Sequence, residues 1–87
     1  MADSLHLTIV SPSKLLFDGQ ATLVEVPGVE GDMGVLPKHA PTLSMLREGI
    51  VTVHAADKSV TRYKVANGYA DITPESCTIL SETIEAA

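Results

Sequence analysis

Alternating aliphatic and polar residues mark the start of the chain. Every second residue from Leu5 to Ile9 is aliphatic, and His6 and Thr8 lie between them. A repeat of two places alternate side chains on one face of a β-strand. The pattern therefore predicts a first strand with one buried face, and the proline in Ser11-Pro12 is expected to end it.

Further short apolar runs follow, each closed by residues typical of turns. Residues 15–17 predict a second strand that ends at the turn signal Asp18-Gly19, and residues 21–26 predict a third strand. Beyond a glycine- and proline-rich segment, residues 42–46 form another run. Glu48-Gly49 is expected to turn this run into residues 50–54 as a hairpin.

The second half of the chain continues in the same way. Residues 60–65 predict a half-exposed strand, and Asn67-Gly68 is typical of a type I′ hairpin turn before residues 69–73. Residues 77–81 predict a last strand. The tail, residues 82–87, is too short to sustain a helix in water and is expected to fray.

Strands separated by turn signals every eight to twelve residues indicate an all-β protein. We expect one domain, residues 1–87, built as an antiparallel β-sandwich or flattened barrel of eight to ten short strands in two sheets. Because aromatic residues make up only 3% of the chain, the core must consist of Val, Leu, Ile and Ala.

Charge and cysteine content narrow the classes of function. The formal net charge is −5 and the basic residues are scattered, so a nucleic-acid backbone would be repelled. Cys77 is the single cysteine, and the first residues lack the basic and apolar regions of a secretory signal. A reducing, cytosol-like compartment is therefore expected. With no apolar run near the ~20 residues that span a bilayer, membrane association would require a partner.

Residues 26–41 stand out, with three glycines, three prolines, two carboxylates and a histidine. Such a composition predicts a turn, a short strand and an irregular shelf. Glu30 and Asp32 should project together into solvent, where they either solubilise the turn or contact a polar or basic partner. His39, between two prolines, either bonds the local backbone to hold the shelf or contacts a ligand.

No pattern in the chain predicts catalysis. His6, His39, His54 and Cys77 lack the spacing of metal ligands, and no nucleophile motif is present. His6 and His54 are expected on the outer face, and Cys77 as a small buried hydrophobe. The spacing of Gly28, Gly31 and Gly34 lacks the Lys-Ser/Thr of a phosphate-binding loop. We therefore predict no catalytic residue, no metal and no cofactor.

The order of these features resembles the N-terminal β-sandwich domain of the epsilon subunit of F-type ATP synthases, over almost the whole chain. The resemblance is carried by a specific string, Gly31-Asp32-Met33-Gly34-Val35-Leu36-Pro37 followed by His39-Ala40-Pro41. It also includes Leu16-Phe17-Asp18-Gly19, Val26-Pro27-Gly28, Asn67-Gly68-Tyr69 and Thr78-Ile79-Leu80.

The resemblance implies a non-catalytic subunit of a proton-transporting rotary motor. Such a domain lies at the foot of the central stalk and couples the membrane rotor ring of c subunits to the gamma subunit during ATP synthesis, within a complex of alpha, beta, gamma, delta and epsilon subunits. It implies a peripheral position on the cytoplasmic face of a bacterial inner membrane, or its organellar equivalent. Residues matching the ring-facing loop are Val26, Gly28, Glu30, Gly31, Asp32 and Met33; those matching the gamma-facing surface are Ser11, Lys38, His39 and Ser44.

The chain departs from the family's usual pattern at several points. Many relatives continue into a hairpin of two helices, so the resemblance implies a short form to which the hairpin's inhibitory and ATP-binding roles do not carry over. Lys38 and Arg47 also replace residues common in the family. Two alternatives remain open: a regulator that restrains ATP hydrolysis, and an unrelated β-sandwich that binds a ligand at the glycine- and proline-rich shelf.

Overall fold

The computed structural model describes residues 4–87, so the first three residues of the predicted domain lie outside the described residues. The described chain is all β and contains seven strands. Their bounds are β1 Leu5–Ser11, β2 Lys14–Gly28, β3 Gly31–Val35, β4 Thr42–Leu46, β5 Gly49–Ala55, β6 Val60–Ile72 and β7 Ser76–Ala86.

Hydrogen bonding closes five of these strands into a flattened barrel. β1 pairs with β7, β7 with β6, β6 with β5, β5 with β2, and β2 with β1. β4 also pairs with β6, and β3 extends the second half of β2. The predicted fold class is confirmed. Two details differ: the seven strands form one continuous hydrogen-bonded sheet instead of two, and β1 and β7 run parallel while the other pairs are antiparallel.

The strand count is seven rather than eight to ten because β2 and β6 each run through a predicted turn. Asp18 and Gly19 lie inside β2, where they pair with Thr8 and Leu7 of β1. The predicted turn there was therefore wrong, and the chain reverses at residues 12–13 instead. Pairing along the whole length of β1 holds this part of β2 extended.

The Asn67-Gly68 hairpin was also wrong, since both residues lie within β6. Asn67 has a positive φ of 59°, which marks a local change of direction. Before this point β6 pairs with β5, and after it β6 pairs with β4. The turn-prone pair thus bends a continuous strand from one neighbour to the next.

The third wrong turn is Glu48-Gly49. β4 and β5 follow each other along the same edge of β6, with Leu46 opposite Gly68 and Gly49 opposite Val65. The two residues between β4 and β5 therefore interrupt one line of pairing instead of reversing the chain.

The tail is not frayed. Residues 82–86 belong to β7, and Ile84 and Glu85 lie opposite Val65 and Lys64 of β6. Considered alone, this segment is too short for a stable helix, but β6 offers it a full set of backbone partners. Tertiary pairing therefore decides its conformation.

Aliphatic side chains from every strand fill the barrel. The alternation in β1 is confirmed, because Leu5, Leu7 and Ile9 are at most 1% exposed. Tyr63 is the one aromatic residue of the described core, and its hydroxyl donates to the Leu16 carbonyl oxygen at 3.4 Å. The remaining core residues are Ala21, Val24, Val26, Val35, Leu46, Val51, Val53, Val65, Ala70, Ile72, Cys77 and Ile79.

Candidate functional site

A tight turn between β2 and β3 carries the predicted ring-facing residues. Val29 and Glu30 form its tip, between Gly28 and Gly31. A Cβ atom at Gly28 would lie 2.7 Å from the Gly31 carbonyl oxygen, and Gly31 has a φ of +136°. Both positions therefore require glycine, and the turn presents Glu30 to solvent.

This turn is fixed to the neighbouring strand β4 and the residues after it. The Val29 amide donates to the Met45 carbonyl oxygen at 2.9 Å, and the Arg47 amide donates to the Pro27 carbonyl oxygen at 2.9 Å. In addition, the Arg47 guanidinium forms an ion pair with the Asp32 carboxylate. The predicted loop is therefore attached on both sides of its tip.

The six residues predicted to face a rotor ring differ in exposure. Glu30, Gly31 and Asp32 are exposed, and Met33 is half-buried against the core. Val26 and Gly28 are buried within β2. The structure thus brings one exposed acidic edge to the turn, while contacts of all six residues with a partner stay a prediction.

Lys38 and His39 lie at the barrel end where β6 turns into β7. Lys38 has a φ of 70°, and its amide donates to the Pro74 carbonyl oxygen at 2.8 Å. The His39 Nδ1 hydrogen-bonds the Ala40 carbonyl oxygen at 2.7 Å. His39 therefore bonds the local backbone of the shelf, which is one of the two roles that the sequence predicted for it.

Ser11 and Ser44 lie elsewhere. The start of β1 is joined to the β6–β7 loop near Lys38, because the His6 amide donates to the Glu75 carbonyl oxygen at 2.9 Å. Ser11 ends β1 five residues further along, roughly 17 Å away at the rise of a strand. Ser44 lies in β4, close to Gly28. The four predicted gamma-facing residues therefore do not form one compact cluster.

The structure shows a surface that the sequence reading missed. Five apolar residues on five adjacent strands face each other in register: Met45 pairs with Tyr69, Tyr69 with Leu80, Leu80 with Val10, and Val10 with Leu15. We call these five residues the apolar row. Paired residues share one face of a sheet, and the row spans about 19 Å across the strands.

The apolar row is accessible to solvent. Leu15 is 57% exposed, Met45 54% and Tyr69 36%, whereas Val10 and Leu80 are half-buried. Ser11 and Ser44 are the chain neighbours of Val10 and Met45, near the two sides of the row. The sequence contained one sign of this surface, because Val10 is an aliphatic residue at an outward position of β1. The whole row becomes visible only when the pairing between strands that are distant in the sequence is known.

Polar residues border most of this row. At the next positions on the same face, Asp71 pairs with Thr78, Thr78 with Thr8, and Thr8 with Asp18. On β4 the apolar surface continues instead, because Leu43 pairs with Asp71 and is 67% exposed. An apolar centre with a polar rim is typical of protein–protein interfaces, and contiguous exposed apolar surface marks such sites on soluble domains. The row is therefore a candidate surface for binding another protein.

The described residues offer little for catalysis. Within residues 4–87, no group of three or more His, Cys, Asp or Glu side chains could hold a metal ion. Cys77 is buried as predicted, and burial, aided by the Asp71 charge, raises the pKa of its thiol to about 12. The thiol is therefore protonated at neutral pH and is a poor nucleophile.

Two histidine–carboxylate contacts and an open groove also lie on the described surface. The His6 Nε2 contacts an Asp18 carboxylate oxygen, and the His54 Nε2 lies 2.8 Å from a Glu25 carboxylate oxygen. An open groove of about 500 Å³ crosses β2, β3 and β5. Across residues 4–87 we find no helix that is long and apolar enough to cross a bilayer.

The chain is similar to known proteins of one family. Residues 4–87 match the family described as ATP synthase, Delta/Epsilon chain, beta-sandwich domain. The chain is 46% identical over 83 residues to the ATP synthase epsilon chain of Sinorhizobium fredii, covering 95% of this chain and 62% of that protein. It is 47% identical over 85 residues to the epsilon chain of Caulobacter vibrioides, covering 95% and 96%.

Solved structures share the fold. A chain of the Euglena gracilis mitochondrial ATP synthase (OSCP/F1/c-ring) superposes with a TM-score of 0.90 at 22% identity, covering 99% of this chain and 55% of that one. One from the Tetrahymena thermophila mitochondrial ATP synthase central stalk and c-ring gives 0.76 at 16%, covering 93% and 65%. The chain spans about three fifths of the length of the epsilon chains of Sinorhizobium fredii, Hyphomonas neptunium and Parvibaculum lavamentivorans. By its match over residues 4–87, the chain belongs to the delta/epsilon β-sandwich family of ATP synthases.

Proposed function

We propose that this chain is a non-catalytic epsilon subunit of a proton-transporting F-type ATP synthase. In this role it belongs to the central stalk and couples the membrane rotor ring to the gamma subunit during ATP synthesis. Support comes from the family match and from relatives named ATP synthase epsilon chain. The observation that carries the proposal is the apolar row on the outer face of the barrel.

The apolar row is the surface that we assign to the gamma subunit. Burying Leu15, Met45 and Tyr69 against a partner removes exposed apolar area from water, which stabilises a complex. Ser11 and Ser44, predicted to face gamma, border the row and fit this assignment. Lys38 and His39 would contact gamma at the shelf, outside the apolar centre.

The β2–β3 turn is the surface that we assign to the rotor ring. It lies beside Met45, at one side of the apolar row, so both partners can be bound together. A closely packed interior has low compressibility and transmits strain. The closed barrel is therefore suited to pass torque between ring and stalk without deforming.

The proposed role implies a location in the cell. As a peripheral subunit it would lie on the cytoplasmic face of a bacterial inner membrane, or on the equivalent organellar membrane. Contact with the membrane would be indirect, through the gamma subunit and the ring. The larger assembly would be the complex of alpha, beta, gamma, delta and epsilon subunits with the ring of c subunits.

Titration of the purified gamma subunit with this chain tests the assignment of the apolar row. We expect one-to-one binding that Leu15→Asp and Met45→Asp each weaken at least tenfold, or about 1.4 kcal/mol, because each buries a charge in an apolar interface. Val60→Asp is the matched control: Val60 is 46% exposed, but it pairs with His54 of β5 and does not belong to the row. Equal weakening by all three variants, or no binding by the unaltered chain, would contradict the assignment.

A further inference from the structure

The two carboxylates of the β2–β3 turn differ in their surroundings. The Asp32 carboxylate is paired with the Arg47 guanidinium, which belongs to the junction between β4 and β5. Glu30 is exposed at the tip of the turn and forms no ion pair with any residue of the range 4–87. Similar residues two positions apart are therefore in different electrostatic situations.

Arg47 is itself held in place. Its amide donates to the Pro27 carbonyl oxygen at 2.9 Å, and its Nη1 donates to the Glu48 carbonyl oxygen at 3.2 Å. Gly49 leaves the room required: a Cβ atom there would lie 2.7 Å from the Pro27 Cβ and 3.3 Å from the Arg47 Nη1. The guanidinium thus bridges the β4–β5 junction and β3, with the β2–β3 turn between them.

We propose that Asp32 and Arg47 form a positioning pair that fixes the β2–β3 turn for the rotor ring, so that Glu30 is the one of the turn's two carboxylates left without an ion pair. This inference rests on the proposed function. A cationic side chain of the ring that approached Asp32 would meet the positive charge of Arg47 beside it. Glu30 lacks such an ion-pair partner in the described structure, so a Lys or Arg of the ring can pair with it directly.

Exchanging the charges of Asp32 and Arg47 tests whether Asp32 positions the turn or contacts the ring itself. Asp32→Arg and Arg47→Asp each place like charges side by side, while the double variant restores an opposite pair with its sign order reversed. Binding of each full chain to a purified complex of gamma and rotor ring is then measured. We expect each single variant to weaken binding by about fivefold, the upper range for an exposed ion pair, and the double variant to return to within twofold.

The Glu30→Gln variant provides a second test, in which the affinity for the gamma–ring complex is measured at several salt concentrations. It should weaken binding and reduce the dependence of the affinity on salt, because it removes a charge that pairs across the interface. Asp32→Asn should leave the salt dependence nearly unchanged. Thermal unfolding of each variant checks that it folds, and binding to gamma alone should be the same for all.

The outcomes are distinguishable. A double variant as weak as Asp32→Arg would mean that the ring contacts Asp32 itself and would overturn the positioning pair. Single variants that bind as well as the unaltered chain would also overturn it. If the unaltered chain binds neither gamma nor the gamma–ring complex, the proposed function fails as well.

Discussion

Gly68 of β6 lies so close to Leu80 of β7 that a Cβ atom at position 68 would be 1.9 Å from the Leu80 carbonyl oxygen. The same atom would be 2.7 Å from the Ser81 Cα. Both contacts are with backbone, which cannot rotate away as a long side chain can. Glycine at this point therefore lets the two strands approach where β6 passes from β5 to β4.

Gly68→Ala should lower the free energy of unfolding by about 3 kcal/mol, at the upper end of the range for overpacked sites, because β7 must shift to admit a methyl group. Gly19→Ala is the control. A Cβ atom at Gly19 would meet Phe17 at 3.5 Å, which is ordinary contact, so its stability should change little. Urea unfolding of both variants gives the comparison, and equal losses would contradict the close approach of β6 and β7.

Ser81 is buried and bonds the backbone of both strands. Its hydroxyl donates to the Ala66 carbonyl oxygen at 2.6 Å and accepts from the Thr83 amide at 3.3 Å. Ser81→Ala should cost about 1–3 kcal/mol, because buried backbone groups lose their partner. Ser13→Ala, in the exposed β1–β2 turn, should stay within about 0.5 kcal/mol. Thermal unfolding measures both, and a neutral Ser81→Ala would show that water replaces the hydroxyl.

Leu7 and Leu15 provide a matched pair, since one is fully buried and the other is 57% exposed. Leu7→Ala should cost about 2–5 kcal/mol through the cavity it leaves in the core. Leu15→Ala should leave stability within about 0.5 kcal/mol but weaken binding to gamma. A large stability loss for Leu15→Ala would mean that the apolar row serves the fold instead of a partner.

Cys77 should make stability depend on pH in the alkaline range. Burial raises the pKa of the folded thiol to about 12 from an ordinary value of 9.0. Between these values the unfolded chain loses a proton that the folded chain keeps, so the free energy of unfolding falls as pH rises, by at most about 1.4 kcal/mol per unit. Unfolding from pH 8.5 to 11 measures this fall. Cys77→Ala should lessen it, and identical slopes would contradict the shift.

The fold class followed from the sequence because alternation and β-branched residues are local signals. The alternation in β1 is confirmed, and the core is aliphatic as predicted except for Tyr63 and the buried Cys77. Turn signals were less informative. Asp18-Gly19 and Asn67-Gly68 have the composition of turns, yet long-range pairing with β1, β4 and β7 holds them inside strands. Partners far along the chain decide these conformations.

The candidate site was predicted in part. The glycine-rich turn with Glu30 and Asp32 stood out by composition, and the structure shows an exposed acidic edge there. The Arg47 pairing of Asp32 depends on β4 lying beside β2, which no local pattern reveals. The apolar row was missed for the same reason, since its five residues come from five strands.

In the proposed role, the chain couples the rotor ring to the stalk without catalysing a reaction. Proton-driven ATP synthesis by vesicles containing an ATP synthase depleted of its epsilon subunit tests this most directly. We expect the added chain to restore synthesis, and Leu15→Asp, defective in binding gamma, to restore much less at equal concentration. Full synthesis without the chain, or equal restoration by Leu15→Asp, would contradict the account.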